Sequence, residues 1–368
     1  MKLLLDGRFI GYGGGGVFTA CCYRELIPML MEAGHEVTLV LTPKSAAHPD
    51  CSALLKIAGV KTIPIATECL TLTHHWRFRK EVKAAADRFF YPHFDMPWLC
   101  PYPSVAFIHD IFPVLVPGYT SWLKRRFFDA VCSRTLKRSV AVAVNSQWTK
   151  STIVERYGIA EEKVAIAYPG CDHAVASADM EKRSPFIERW GGREGYLLYV
   201  GNAKPHKNLS RLIQAYATLP QELKKRHPFF LVGSRDRYAH KLEREISRLG
   251  MDAFVHHLGY QPQETLESLY GGAKALALVS LYEGFGIPPL EAMSHGVPCL
   301  VSNTAALAEI YGKAAFAVDP TSKAAIQEGL VRVLSDNGIR AELMERGRTL
   351  AGSFTWKRCA ETVFNLLI

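Results

Sequence analysis

Short β-branched and aliphatic runs alternate with amphipathic helical patterns along the whole chain, and the alternation runs its course twice. A parallel sheet demands this layout, since each strand is buried on both faces and needs a crossover helix to reach the next. In the first half the strand candidates are 2–6, 37–42, 60–65, 105–109, 140–145 and 164–168. Between the first two, Phe18, Cys22, Leu26 and Leu30 recur at helical spacing, and Gly34 stops the helix. A polar stretch at 176–194, carrying Asp179, Glu181, Lys182, Arg183 and Pro185, reads as a linker. The strands then restart at 196–200, 229–232, 255–258, 275–279, 299–301 and 315–318. Two doubly wound α/β domains, 1–175 and 195–353, are expected, with ligand in the cleft between them.

Composition excludes several classes. No apolar run approaches the ~20 residues of a membrane span, and the N-terminal Met1-Lys2-Leu3-Leu4-Leu5-Asp6 is too short for a signal peptide. The chain is expected to be soluble and cytoplasmic. The 9 cysteines include no C-x-x-C pair, so neither a disulfide framework nor a zinc cluster is indicated. The doublets His74-His75 and His256-His257 place adjacent rings on opposite sides of an element, a poor chelate. No metal site is expected. Lys+Arg 44 against Asp+Glu 35 leaves +9, most of it in the first 170 residues, which suits an anionic partner.

Two motifs carry chemistry. Gly11-Tyr12-Gly13-Gly14-Gly15-Gly16 lies between the first strand and the first helix and satisfies G-x-G-x-x-G. A dinucleotide reading also needs an acid at the end of the second strand, where the sequence is Leu41-Thr42-Pro43-Lys44. What survives is more general: exposed amides at a helix start, where the macrodipole favours a phosphate. The second motif is Ser280-Leu281-Tyr282-Glu283-Gly284-Phe285-Gly286-Ile287-Pro288-Pro289-Leu290-Glu291-Ala292-Met293, following a strand. Pro288 and Pro289 suit a first helical turn, and Gly296 suits the helix end. Glu283 therefore sits at the carboxyl edge of the sheet and Glu291 one turn into the helix. Two such acceptors beside glycine amides suit a ligand bearing both hydroxyls and phosphate.

Glu283, seven residues and Glu291 within E-G-F-G-I-P-P-L-E-A-M resemble the hallmark of the family 4 glycosyltransferases, retaining enzymes of the GT-B fold. Tyr199-Val200-Gly201-Asn202, Lys204-Pro205-His206-Lys207-Asn208-Leu209, Leu231-Val232-Gly233-Ser234, Leu258-Gly259-Tyr260 and Gly296-Val297-Pro298-Cys299-Leu300-Val301-Ser302 agree with the family in order and spacing. Upstream, Asn145-Ser146 and Tyr168-Pro169-Gly170-Cys171-Asp172 resemble the end of its first domain. The resemblance implies two Rossmann-like domains facing a cleft, the first binding acceptor and the second donor. It also implies that the C-terminal helix, 354–368, with Trp356, Cys359, Val363 and Leu367 at helical spacing, crosses back to the first domain.

The resemblance further assigns roles. Glu291 would bind the ribose hydroxyls of the nucleotide, and Glu283 the hydroxyls of the transferred sugar. The backbone of Phe285, Gly286 and Ile287 would lie against sugar and phosphate, with Leu290 and Tyr260 among the donor-binding residues. Lys207 matches the phosphate-binding lysine. Asn202 stands where an arginine is frequent, so one phosphate charge is missing or supplied elsewhere. Gly15 and Gly16 match the loop approaching the diphosphate, and His109, after Phe107-Ile108, matches the histidine facing the reacting sugar. Catalysis would then rest on His109, Glu283 and Lys207. No Asp-x-Asp triplet occurs in the chain, so a metal-independent reaction with no cofactor is expected. Lys207 and the amides would stabilise the departing diphosphate.

The expected enzyme is a retaining hexosyltransferase using a nucleotide-diphosphate sugar, GDP-mannose being favoured over a UDP-sugar. Its acceptor would be a saccharide or lipid-linked saccharide of the cell envelope. A nucleotide-sugar epimerase or a phosphorylase is the alternative of like fold. A non-catalytic basic module binding membrane or nucleic acid is the alternative of another class, and it leaves the two glutamates unexplained. Trp76-Arg77-Phe78-Arg79-Lys80 and Trp122-Leu123-Lys124-Arg125-Arg126-Phe127-Phe128 interleave cations with aromatics. They suit peripheral contact with an anionic membrane at its inner face. No nucleic-acid recognition motif accompanies the charge.

Overall fold

The computed structural model describes residues 1–116, 120–171 and 189–368. The chain forms two units, Met1–Gly170 with Thr355–Ile368, and Cys171–Phe354. Most of the polar stretch at 176–194, and Asp172, lie outside the described residues.

The first unit is built on seven parallel strands: β1 (Lys2–Asp6), β2 (Glu36–Leu41), β3 (Lys61–Pro64), β4 (Arg88–Tyr91), β5 (Ser104–Ile108), β6 (Ala141–Val144) and β7 (Val164–Ile166). Their order is β3-β2-β1-β4-β5-β6-β7. The chain winds outward from β1 to β3, then returns to the other side of β1 for β4. In open α/β sheets that reversal opens a crevice at the carboxyl ends of the strands on either side of it, here β1 and β4. β4 is the strand the sequence pattern does not announce.

After β1 comes helix Gly13–Glu32, which buries Phe18, Cys22, Leu26 and Leu30 as its periodicity requires. Helix Trp356–Leu367 packs along it, burying Trp356, Cys359, Val363 and Leu367, with the Phe18 and Trp356 rings 5.7 Å apart. Gly170 makes this approach possible, because a Cβ there would fall 2.0 Å from the Trp356 amide nitrogen. The C-terminal helix is thus a piece of the first unit.

The second unit repeats the plan with six parallel strands: β8 (Tyr196–Val200), β9 (Phe229–Val232), β10 (Val255–Gly259), β11 (Ala273–Leu278), β12 (Cys299–Ser302) and β13 (Phe316–Val318). The order β10-β9-β8-β11-β12-β13 places its reversal between β8 and β11. The Lys207 loop follows β8 and the Glu283 loop follows β11, so topology alone brings both to one crevice.

Candidate active site

In the second unit, Lys207 ends the turn Pro205–Lys207, and its Nζ donates to Glu283 Oε1 at 2.5 Å. The Ser280 hydroxyl donates to the same oxygen at 2.8 Å. The lysine loop is fixed by Asn208, which adopts a left-handed backbone at φ 59°, a conformation asparagine tolerates better than most residues. Its Nδ2 donates to the carbonyls of Val279 at 2.9 Å and Pro320 at 2.8 Å. The Leu281 amide donates to the His206 carbonyl at 2.8 Å. Asn208 thus ties the loop after β8 to the end of β11 and sets where Lys207 stands.

Glu291 sits in helix Ile287–Ser294, and its Oε2 accepts from the buried Tyr270 hydroxyl at 2.5 Å. Burial, then the Glu291 charge, holds the Tyr270 phenol well above its usual range. Tyr311 donates to the Gly286 carbonyl at 2.7 Å. Its phenol is also raised by burial and, more weakly, by the charges of both Glu291 and Glu283. Gly286 has φ +83°, and a Cβ there would come within 2.8 Å of Leu307. Only glycine turns the chain here. Phe285 is buried, edge-on to Tyr311 and Phe354, so its ring anchors the loop.

The structure qualifies four expectations in this unit. Pro288 and Pro289 carry no N–H, so the helix start lacks two of its first-turn donors and is a weaker phosphate cradle than the pattern suggests. Leu290 is fully buried in the core, so its side chain is not a donor contact. Tyr260 follows β10, the outermost strand of that side of the sheet, and is 77% exposed, apart from the Lys207–Glu283 cluster. Asn202 turns inward: its Oδ1 accepts from the Lys204 amide at 3.3 Å, and its carbonyl takes the Tyr199 hydroxyl at 2.7 Å.

In the first unit, helix Gly13–Glu32 begins without a side-chain cap and without an acid in its first turn. Its positive dipole end is left uncompensated by side chains. A Cβ on Gly16 would fall 2.6 Å from the Phe9 carbonyl oxygen, and one on Gly15 would lie 3.8 Å from His109 Nε2. The glycine turn therefore meets His109, at the end of β5. His109 Nε2–H donates to the Pro92 carbonyl at 3.0 Å, which leaves Nδ1 with its lone pair. Burial, reinforced by His93, pushes the ring down to about 3, so at neutral pH it is uncharged, with its one N–H on the Pro92 carbonyl and Nδ1 able to accept.

Sequence reasoning missed the positioning roles of Tyr270, Tyr311 and Asn208. Asn208 alone had a signal, as the residue after Lys207 in a quoted motif. No group of three His, Cys, Asp or Glu side chains among the described residues is placed to hold a metal ion.

Comparison with known proteins gives the family and the fold. The family model described as Glycosyltransferase Family 4 matches residues 14–175, and that described as Glycosyl transferases group 1 matches 180–350. The O-antigen chain mannosyltransferase B of Escherichia coli is 29% identical over 311 residues, covering 84% of this chain and 81% of that protein. The serotype-specific mannosyltransferase WbdA of the same species is 27% identical over 71% of this chain, which spans only 32% of WbdA's length. Among solved structures, Anabaena Alr3699/HepE in complex with UDP and glucose superposes with a TM-score of 0.76 at 18% identity, covering 100% of this chain and 99% of that one. That likeness establishes the fold.

Proposed function

The chain belongs to the family 4 glycosyltransferases, and from that premise we propose that it moves mannose from GDP-mannose to a saccharide acceptor in envelope polysaccharide synthesis. That it is a nucleotide-sugar-dependent glycosyltransferase of polysaccharide synthesis follows from its relatives. The observation that carries the donor site is the Lys207–Glu283 contact at the reversal of the second sheet. A cation and a carboxylate converge there from two loops, as a departing diphosphate and sugar hydroxyls together require. Mannose rests on the likeness to the Escherichia coli mannosyltransferase.

In the proposed reaction the anomeric C–O bond breaks and the electron pair leaves on the diphosphate. Positive charge builds on the sugar ring while negative charge builds on the phosphate, where Lys207 Nζ stabilises it. The acceptor hydroxyl attacks from the face the diphosphate leaves, and its proton passes to the leaving phosphate oxygen. Configuration is retained without a protein nucleophile. Glu283 orients the sugar hydroxyls, Glu291 the ribose, and neutral His109 accepts a hydroxyl of the reacting sugar.

A thermal-shift screen in EDTA tests this. GDP and GDP-mannose should raise the melting temperature, a ligand at 100 times its Kd contributing about 2.7 kcal/mol. GDP should then be released from GDP-mannose when a mannoside acceptor is added. Stabilisation by no nucleotide, or turnover lost on chelation and restored by Mg²⁺, overturns the reading.

The first unit also supports contact with an anionic membrane. Helices His74–Glu81 and Trp122–Arg138 meet through His75, with ring centroids 4.7 Å from Trp98 and 6.4 Å from Phe127. Around that seam Trp76 is 46%, Trp122 66% and Leu123 70% exposed, flanked by the exposed cations Arg77, Arg79, Lys80, Lys124 and Arg126. Phe78 is different: it is fully buried, with the Arg8 guanidinium 5.0 Å from its ring centroid. No helix among the described residues is long and apolar enough to cross a membrane. Each cation is worth about 1 kcal/mol near an anionic surface, so replacing Arg77 and Lys124 by serine should weaken sedimentation with phosphatidylglycerol vesicles about thirtyfold. Unchanged binding would make these ordinary surface residues.

A further inference from the structure

A buried polar network runs beneath the reversal of the first sheet and surfaces at one histidine. Asp6, at the end of β1, pairs with Arg8 at 2.6 Å, both side chains fully buried. Arg8 donates onward to the Thr67 carbonyl and to His74 Nδ1, each at 3.1 Å. His74 Nε2 donates to the Asp95 carbonyl at 2.9 Å. The Asp95 carboxylate then collects the Tyr91 hydroxyl at 2.9 Å, the Leu70 amide at 3.2 Å and His93 Nδ1 at 2.6 Å. Leu70 is held at φ 60°, a left-handed backbone that a leucine rarely adopts. Charges buried this way are costly, and apolar residues of similar volume usually serve stability as well or better.

Its exit is His93. The ring stacks on Phe9 at 4.6 Å and packs on Phe94 at 4.3 Å, which fixes its plane. A carboxylate only accepts, so Nδ1–H donates to Asp95, which fixes which edge of the ring faces outward. Nε2 makes no hydrogen bond among the described residues, and the side chain is 18% exposed. His93 follows β4, between the glycine turn after β1 and His109 after β5. An oriented ring nitrogen thus stands open at the crevice of the unit that carries no Lys207 or Glu283.

We propose that His93 is an acceptor-binding residue, its Nε2 taking a hydrogen bond from a hydroxyl of the acceptor saccharide, with Asp95 as the positioning residue that orients the ring. This rests on the mannosyl-transfer reading above. The test is steady-state kinetics with GDP-mannose and a mannose disaccharide acceptor, alongside calorimetry with GDP. His93→Phe keeps a ring between Phe9 and Phe94 and removes the nitrogen. It should raise the acceptor KM about tenfold, the loss of one neutral hydrogen bond, while GDP affinity holds; the melting temperature should fall somewhat, because Asp95 loses its shortest partner. His93→Gln, which restores an acceptor atom, should recover part of that loss. His93→Leu is read the same way should His93→Phe not fold. An unchanged acceptor KM, or GDP affinity falling in step with it, overturns the proposal. A wild-type protein that consumes no nucleotide sugar overturns instead the transfer reading beneath it.

Discussion

Replacing Lys207 by alanine should lower kcat about a hundred- to a thousandfold, the cost typical of removing one fixed donor from a site of developing negative charge. Lys207 Nζ is held 2.5 Å from Glu283 Oε1. The diphosphate must therefore compete for a cation already poised in the crevice, a preorganised arrangement that needs little rearrangement as the bond breaks. The loss should fall on kcat more than on donor KM, because the negative charge on the leaving oxygen grows toward the transition state. Lys207→Arg keeps the charge but replaces a compact ammonium by a planar, more weakly hydrated fork, so it should restore only part of the rate. A Lys207→Ala enzyme within a few fold of wild type would place the leaving-group charge elsewhere. Asn208→Ala should reproduce part of the same loss, since Asn208 holds the loop through the Val279 and Pro320 carbonyls.

The second large effect separates the two glutamates. The ribose does not change during reaction, so Glu291 should contribute equally to ground and transition states, and Glu291→Ala should raise donor KM with little change in kcat. The sugar changes in charge and position, so Glu283→Ala should mainly lower kcat. A hydrogen bond to a charged group is worth about 1.5–3 kcal/mol, which sets each effect on the order of 10- to 150-fold. The structure adds a control for each. Glu291→Ala strands the buried Tyr270 hydroxyl, at a stability cost of about 1–3 kcal/mol, whereas Glu291→Gln leaves it a partner. Glu283→Ala releases Lys207, so a part of its effect will arise through the lysine. Pairing it with Lys207→Ala in a double-mutant cycle separates the two.

Much of this fold is legible in the sequence because parallel strands, buried on both faces, stand out as short continuous apolar runs. Lys2–Asp6, Tyr196–Val200 and Phe229–Val232 fall where that pattern places them. β4 escapes because Arg88–Tyr91 opens on a charged residue and is closed by Pro92, which leaves three apolar residues and no aliphatic one among them. With it escapes the feature it carries, since a Pro-His-Phe-Asp tetrapeptide says nothing about Arg8 or His74 beneath. Glu283, Glu291 and Lys207 are legible through loop chemistry, because glycines and prolines mark the turns that present them. Tyr270 and Tyr311 are not, because a buried tyrosine reads as core and its hydroxyl partner lies 21 or 25 residues away. Leu290 and Tyr260 show the converse: membership in a motif does not say which way a side chain faces.

The most direct test of the donor site is calorimetric titration of the bare nucleoside diphosphate, which carries the ribose and the phosphates but no sugar, into wild type, Glu291→Gln, Glu291→Ala and Glu283→Ala. Affinity should fall for both Glu291 variants, more for alanine, and hold within a few fold for Glu283→Ala. Equal losses for Glu291→Ala and Glu283→Ala, or none in either, would contradict the placement of these two carboxylates across ribose and sugar.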